Sequence, residues 1–194
     1  MVKILSVAEK PSVAKELSKI LSENGHCATR DGFSMYNKCF DVPQCKFRNQ
    51  NASMTITSVS GHMMGLDFDD AYRGWNSCNE VDLFHAPIKK KVTESNLNIE
   101  STLRREAKNH DTLLLWLDCD LEGEAIAFEV IEVCRSSNPR LQIFRARFSA
   151  LIPRDIFRTM THPERPNEHM SDAVNARQEI DLRMGAAFTR WQTK

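Results

Sequence analysis

Short, largely apolar runs alternate with stretches of helical spacing along much of this chain. Val2 to Val7 is one such run and Leu113 to Leu117 is another. Runs this short, bounded by polar residues, predict strands buried in a parallel sheet. After each run the period changes. Val13, Ala14, Leu17, Ile20 and Leu21 fall at helical spacing behind Pro11, which suits a helix start, and the helix is expected to stop near Asn24-Gly25. Beyond Gly123, the residues Ile126, Val130, Val133 and Cys134 define a second helix, with Glu124, Glu129, Glu132 and Arg135 assigned to its other face. Two strand, turn and helix units of this kind predict an α/β fold.

Between and after these units the pattern is less regular. The segment from His26 to Ser53 is broken by Arg30-Asp31-Gly32, Pro43 and Asn49-Gln50-Asn51, and reads as irregular or as an insertion with short strands. Met54 to Val59 is strand-like and exits at Ser60-Gly61-His62. Leu66 to Lys91 lacks periodicity and reads as a long surface loop, with Lys89-Lys90-Lys91 as a solvated patch. Ile99, Leu103 and Ala107 mark a helix that exposes Arg104 and Arg105. Gln142 to Phe148 alternates, placing Phe144, Ala146 and Phe148 on one face and Arg145 and Arg147 on the other. After Leu151, Pro153, Pro163 and Pro166 punctuate a polar stretch, so a boundary is expected between 1–151 and 152–194. From Ser171 onward the chain is helical, with Ala173, Ala176, Ile180 and Ala187 able to line one side and Arg177, Asp181 and Arg190 among its charges.

The length of 194 residues suits one domain with a real core and a fragment of a second. No stretch approaches the ~20 apolar residues of a bilayer span, and Met1 to Ala8 is too short for a signal peptide. Six cysteines without a C-x-x-C pair read as reduced thiols in an intracellular protein. With 26 basic and 26 acidic residues the net charge is zero, so bulk charge offers no case for a nucleic-acid partner. Any such case must be local.

The local chemistry is concentrated at Asp118, Asp120 and Glu122, three carboxylates at alternate positions directly after a buried strand. Anions so close repel, and a hard divalent cation removes the conflict. Helix-dipole stabilisation alone accounts for one or two acids there, not three. Glu9 holds the same position after its own strand. In an open parallel sheet both emerge at the carboxyl edge, where ligands bind between strand ends. His62 follows another strand end beside Gly61. Two adjacent guanidiniums, Arg145 and Arg147, require anions, either an acidic cluster or a nucleic-acid phosphate.

Five blocks, AEKPSVAK, TSVSGH, WLDCDLEGE, RARFSAL and ARQEIDLRMGAAFTRWQT, resemble in order the amino-terminal part of the eukaryotic DNA topoisomerase III family, a type IA group. GWNSCNEVDLF, Gly74 to Phe84, looks closer to the alpha branch. The resemblance implies a Toprim domain over 1–151, with a mostly parallel sheet flanked by helices, and the incomplete start of a central helical domain over 152–194. It implies an ATP-independent enzyme that cuts single-stranded DNA through a 5′-phosphotyrosine link. On the matching positions Glu9 is the general acid, Lys10 stabilises phosphate charge, and Asp118, Asp120 and Glu122 hold Mg²⁺. Arg145, Arg177, Asp181 and His62 match positions near the bound strand. A RecQ-type helicase, an OB-fold accessory subunit and a nuclear location are expected on the same ground, with no membrane partner.

Two departures stand out. Where the family reads D-x-D-R-E-G-E-N, this chain has Leu121 for the arginine and Ala125 for the asparagine. The only tyrosines, Tyr36 and Tyr72, fall outside the context of the family's nucleophile. The chain alone is therefore not expected to cleave by the tyrosine route. Two other readings remain: a non-catalytic module that binds DNA or a partner, and a Toprim nuclease that uses metal-activated water. A phosphoacceptor receiver domain shares the strand-end acids but does not account for Glu9-Lys10.

Overall fold

In the computed structural model, which describes residues 1–22 and 27–193, a six-stranded sheet runs in the order β2-β3-β4-β1-β7-β8. Its strands are β1 (Val2–Ala8), β2 (Ala28–Arg30), β3 (Cys39–Phe47), β4 (Gln50–Ser58), β7 (Thr112–Trp116) and β8 (Gln142–Arg145). β4, β1, β7 and β8 are mutually parallel, and β2 and β3 are added antiparallel at one side. The sheet is therefore mixed but mostly parallel.

Both faces are covered, because β7 is apolar from Leu113 to Trp116 and buries both sets of side chains. Leu113, Leu115 and Leu117 face α3 (Leu97–Ala107) and α4 (Leu121–Ser137), meeting Ile99, Leu103, Ile126 and Val130. Leu114 and Trp116 face the other layer, where α1 (Pro11–Leu21) supplies Ala14 and Leu17 and α5 (Pro153–Thr161) supplies Ile156 and Met160. The expected helix stop at Asn24-Gly25 lies outside the described residues.

Three expectations are corrected. The region from His26 to Ser53, apart from the undescribed His26, is built of strands rather than irregular, and they are longer than expected: after the short β2, β3 and β4 form a long hairpin that carries the sheet outward. The register shifts between Val42 and Cys45, around Pro43, which cannot donate to a ladder. Leu66 to Lys91 is not one loop either. β5 (Met64–Phe68) pairs antiparallel with β6 (Ile88–Val92), and the short helix α2 (Asp70–Arg73) and a 3₁₀ turn at Glu80–Phe84 lie between them. Finally, the long helix α6 (Glu168–Gln192) does not bury Ala173, Ala176 and Ile180, which are exposed. Ala187 is buried as expected, and Ser171, Val174 and Arg190 are buried with it. Ala187 joins Phe68, Leu83 and Ala86 in a third apolar cluster, and Arg190 donates to the Tyr72 carbonyl at 2.7 Å.

Candidate active site

Parallel pairing of β1 with β7 sets Ala8 opposite Trp116, so Glu9 and Asp118 leave the sheet at the same edge. The Glu9 amide extends the ladder to the Trp116 carbonyl at 3.1 Å. The Asp118 amide then donates back to Glu9 Oε2 at 3.0 Å. Lys10 Nζ stands 3.4 Å from Glu9 Oε1 and 3.4 Å from Asp118 Oδ2, a cation shared by two carboxylates. Glu9 is nearly buried, whereas the Lys10 and Asp118 side chains are more than half exposed. The charge of Glu9, and then that of Asp118, holds the Lys10 ammonium above its ordinary pKa. The convergence expected from two separate strand ends is present.

The exit of β4 joins this edge. Gly61 donates to the Glu9 carbonyl at 3.3 Å and has φ +79°, a left-handed conformation that favours glycine. It delivers His62 between two carboxylates, with Nε2 2.9 Å from Glu122 Oε2 and Nδ1 3.1 Å from Glu129 Oε1. The hydrogen bond to Glu129, reinforced by that to Glu122, outweighs desolvation and raises the His62 pKa. Burial pushes the Glu129 carboxyl up, but hydrogen bonds from His62 and Lys90 prevail and hold it low. Lys90 Nζ is 2.9 Å from Glu129, so this lysine is an ion-pair partner and not part of a solvated patch. Glu122 is held low by His62 first and then by Arg177, whose guanidinium reaches it from α6.

The three alternating acids are not gathered into one ligand set. Asp118 faces Lys10, Asp120 turns back to cap α4 by accepting from the Gly123 amide at 2.7 Å, and Glu122 faces His62 and Arg177. Among the described residues no three His, Cys, Asp or Glu side chains stand in a metal-holding group. What Asp118 and Glu9 do share is one cation, the Lys10 ammonium. Hard oxygen donors at an exposed edge fit a divalent ion that takes one or two carboxylates and fills its remaining positions with water and phosphate. The turn itself depends on Gly123: a Cβ there would lie 2.0 Å from the Asp118 carbonyl oxygen.

Arg145, expected beside a bound strand, requires correction. It is fully buried, and so is its partner Glu124, which was assigned to the outer face of α4 together with the equally buried Glu129. The Arg145 guanidinium donates to Glu124 Oε1 at 3.0 Å and to the carbonyls of Asp118 at 2.7 Å, Ala146 at 2.9 Å and Leu115 at 3.2 Å. With all three nitrogens committed inside the protein, it fastens the end of β7 and thereby the acidic turn. Glu124 also accepts from Arg147 Nη2 at 3.1 Å and from the Asn167 amide at 3.1 Å, tying α4 to the start of α6.

Arg177 and Asp181 are exposed on α6, and of the two Arg177 reaches the acidic turn. Sequence reasoning missed Arg158 and His162, which line a cleft with Asp118, Cys119, Arg147 and Phe148. No motif marked them. The only signal was their position on an amphipathic helix and its exit. The six cysteines are all free, and burial pushes Cys134 up to about 12.

The comparisons with known proteins agree with this geometry. The Toprim domain family matches residues 4–151. The chain is 53% identical over 192 residues to DNA topoisomerase 3-alpha of Arabidopsis thaliana, covering 99% of this chain and 20% of that protein. It is 50% identical over 191 residues to DNA topoisomerase 3 of Dictyostelium discoideum, covering 98% and 23%. The chain thus spans about a fifth of the length of these relatives. Full-length topoisomerase I from Thermotoga maritima shares the fold, with a TM-score of 0.58 at 22% identity over 93% of this chain and 24% of that one. With two strand ends bringing Glu9, Lys10 and Asp118 together inside the matched segment, the chain belongs to the Toprim domain family.

Proposed function

We propose that this chain is the Toprim-bearing part of a type IA DNA topoisomerase III, an ATP-independent enzyme that breaks and rejoins single-stranded DNA through a 5′-phosphotyrosine link. Relaxation of negative supercoils and resolution of recombination intermediates follow from that chemistry. Residues 1–151 form the Toprim domain in this reading, and 152–194 begin the helical domain that holds a strand beside it. The observation that carries the proposal is the meeting of Glu9, Lys10 and Asp118 at one exposed edge. Full-chain similarity to the DNA topoisomerases 3 supports it.

Each residue has a chemical task. Glu9 Oε2 is fixed by the Asp118 amide, which leaves Oε1 as the atom that gives a proton to the departing 3′ oxygen and recovers it at rejoining. Lys10, more than half exposed between its two carboxylates, places its charge on the scissile phosphate. Asp118, the acid that faces the shared edge, would hold Mg²⁺ with Asp120 and Glu122 once these turn from the Gly123 amide and from His62 and Arg177, and the ion would supply positive charge to the phosphate when bound. Arg177, Asp181 and His62 border the path of the strand, whereas Arg145 keeps the turn in place from below. A RecQ-type helicase, an OB-fold subunit and a nuclear location complete the proposal by resemblance.

Single-turnover reaction with an end-labelled DNA single strand tests it. The chain mixed with a fragment bearing the family's tyrosine yields a covalent protein–DNA adduct, and the chain alone yields none. Mg²⁺-dependent free ends from the chain alone overturn the proposal in favour of a metal-water nuclease. Binding without an adduct, even when the tyrosine is supplied, overturns it in favour of a non-catalytic module.

A further inference from the structure

The loop between β2 and β3 displays three apolar side chains in water at the same edge. Phe33 is 55% exposed, Met35 72% and Tyr36 73%. This is not loose chain. Asn37, only 1% exposed, donates from its side-chain amide to the carbonyls of Ser58 at 2.8 Å and Val59 at 3.3 Å, at the end of β4. The Phe33 amide donates to Thr102 Oγ1 at 2.9 Å. At Gly32 a Cβ would lie 2.6 Å from the Asn37 carbonyl oxygen, so the bend closes only around a residue without one.

A loop anchored by a buried amide has the means to tuck its rings inward, yet it presents them outward. Three large apolar side chains exposed within four residues of one anchored loop offer a surface for a binding partner. Its place in the fold names the occupant. Val59, which accepts from Asn37, donates its own amide to the Ala8 carbonyl at 2.9 Å, and two residues on Gly61 donates to Glu9. The platform is thus joined through β4 to the residue that handles the proton. Two cations lie beside it, each already paired: the Arg105 guanidinium, bound to Glu106, is 5.0 Å from the centre of the Phe33 ring, and the Lys38 ammonium is bound to Asp31 at the loop's end.

We infer that Phe33 and Tyr36 form a stacking platform for an unpaired base of the single strand next to the scissile phosphate. The inference rests on the reading above that a single strand crosses this edge. A ring offers a π-face to any base, so the platform grips the strand without reading its sequence. A segment of protein has no need of a π-face and is met equally well by an aliphatic side chain.

Fluorescence anisotropy with a labelled oligothymidylate, and with the same oligonucleotide lacking bases, separates these outcomes. Tyr36→Ala and Tyr36→Leu each bind the normal strand about tenfold more weakly than the unaltered chain, and Tyr36→Phe binds within about twofold of it. All four bind the base-free strand alike, with one salt slope. Thermal unfolding of Tyr36→Ala matches the unaltered chain, since the ring is exposed. Normal affinity in Tyr36→Leu or Tyr36→Ala overturns the platform while leaving the enzyme reading intact. No binding of either strand by the unaltered chain overturns the enzyme reading, and the platform with it.

Discussion

Replacing Arg145 with methionine is the perturbation that best distinguishes a buried fastening from a DNA contact. Its guanidinium is wholly inside the protein and bonds to Glu124 and to the carbonyls of Leu115, Asp118 and Ala146. Methionine fills part of the volume but donates nothing. The Leu115 carbonyl keeps a second donor, the Ala146 amide at 2.8 Å, so that orphan is mild. Glu124 keeps Arg147 and the Asn167 amide but loses its fully buried counter-ion. Removing one member of a buried ion pair costs about 3–5 kcal/mol, against a total stability of about 5–15 kcal/mol for a domain. With a urea m-value of about 2–3 kcal/mol/M, the midpoint falls by about 1–2.5 M at unchanged m. Arg145→Lys falls between, because one ammonium cannot reproduce the fork. Pairing Arg145→Met with Glu124→Gln restores part of the loss. A midpoint shift equivalent to less than about 0.5 kcal/mol, accompanied by weaker oligonucleotide binding, would refute the reasoning and return Arg145 to the strand.

Other consequences follow from single contacts. Gly123→Ala drives a Cβ into the Asp118 carbonyl, so stability falls by about 2 kcal/mol or more in urea unfolding, and the adduct yield with a supplied tyrosine fragment is lost. Leu121 is 47% exposed on the acidic turn; Leu121→Arg therefore changes stability by less than about 0.5 kcal/mol but tightens oligonucleotide binding, with a salt slope steeper by about 0.7. Beside the outer strand β2, burial pushes the Glu106 carboxyl up while hydrogen bonds from Arg30 and Arg105 prevail and hold it below 4.5. A lowered carboxylate contributes stability above its unfolded pKa and loses it as pH falls through the folded value. Glu106→Gln is accordingly less stable than the native chain at neutral pH, and the gap in melting temperature closes as the pH drops below 4.5.

Much of the central architecture was legible because it rests on local pattern. β1 and β7 are short, largely apolar runs, and α1 begins at Pro11. Their shared edge followed from parallel pairing alone, which is why Glu9 and Asp118 were expected together. What stayed hidden depends on partners distant in sequence. Glu124 and Glu129 look like outward-facing acids until Arg145, His62 and Lys90 arrive from other elements to neutralise them. The β3–β4 hairpin was obscured at both of its irregular points. Pro43 interrupts the alternation, and the turn uses Arg48 and Asn49 at φ 49° and 65° where glycine would have been the recognisable signal. The buried face of α6 was misplaced for a related reason, since α6 buries Arg190 against backbone carbonyls while leaving Ile180 in water. Asp118, Asp120 and Glu122 were expected to act as one ligand set. The backbone cap at Asp120 and the pull of His62 and Arg177 on Glu122 hold them apart.

The central claim is that Glu9 and the acidic turn make one pocket for a cation and a phosphate. Paramagnetic broadening of backbone amide signals by substoichiometric Mn²⁺ reads that pocket directly. Broadening centred on Glu9, Lys10 and 118–123, and abolished when Asp118→Asn is combined with Asp120→Asn, is the predicted result. Broadening centred elsewhere, or unchanged in the doubly substituted chain, would contradict it.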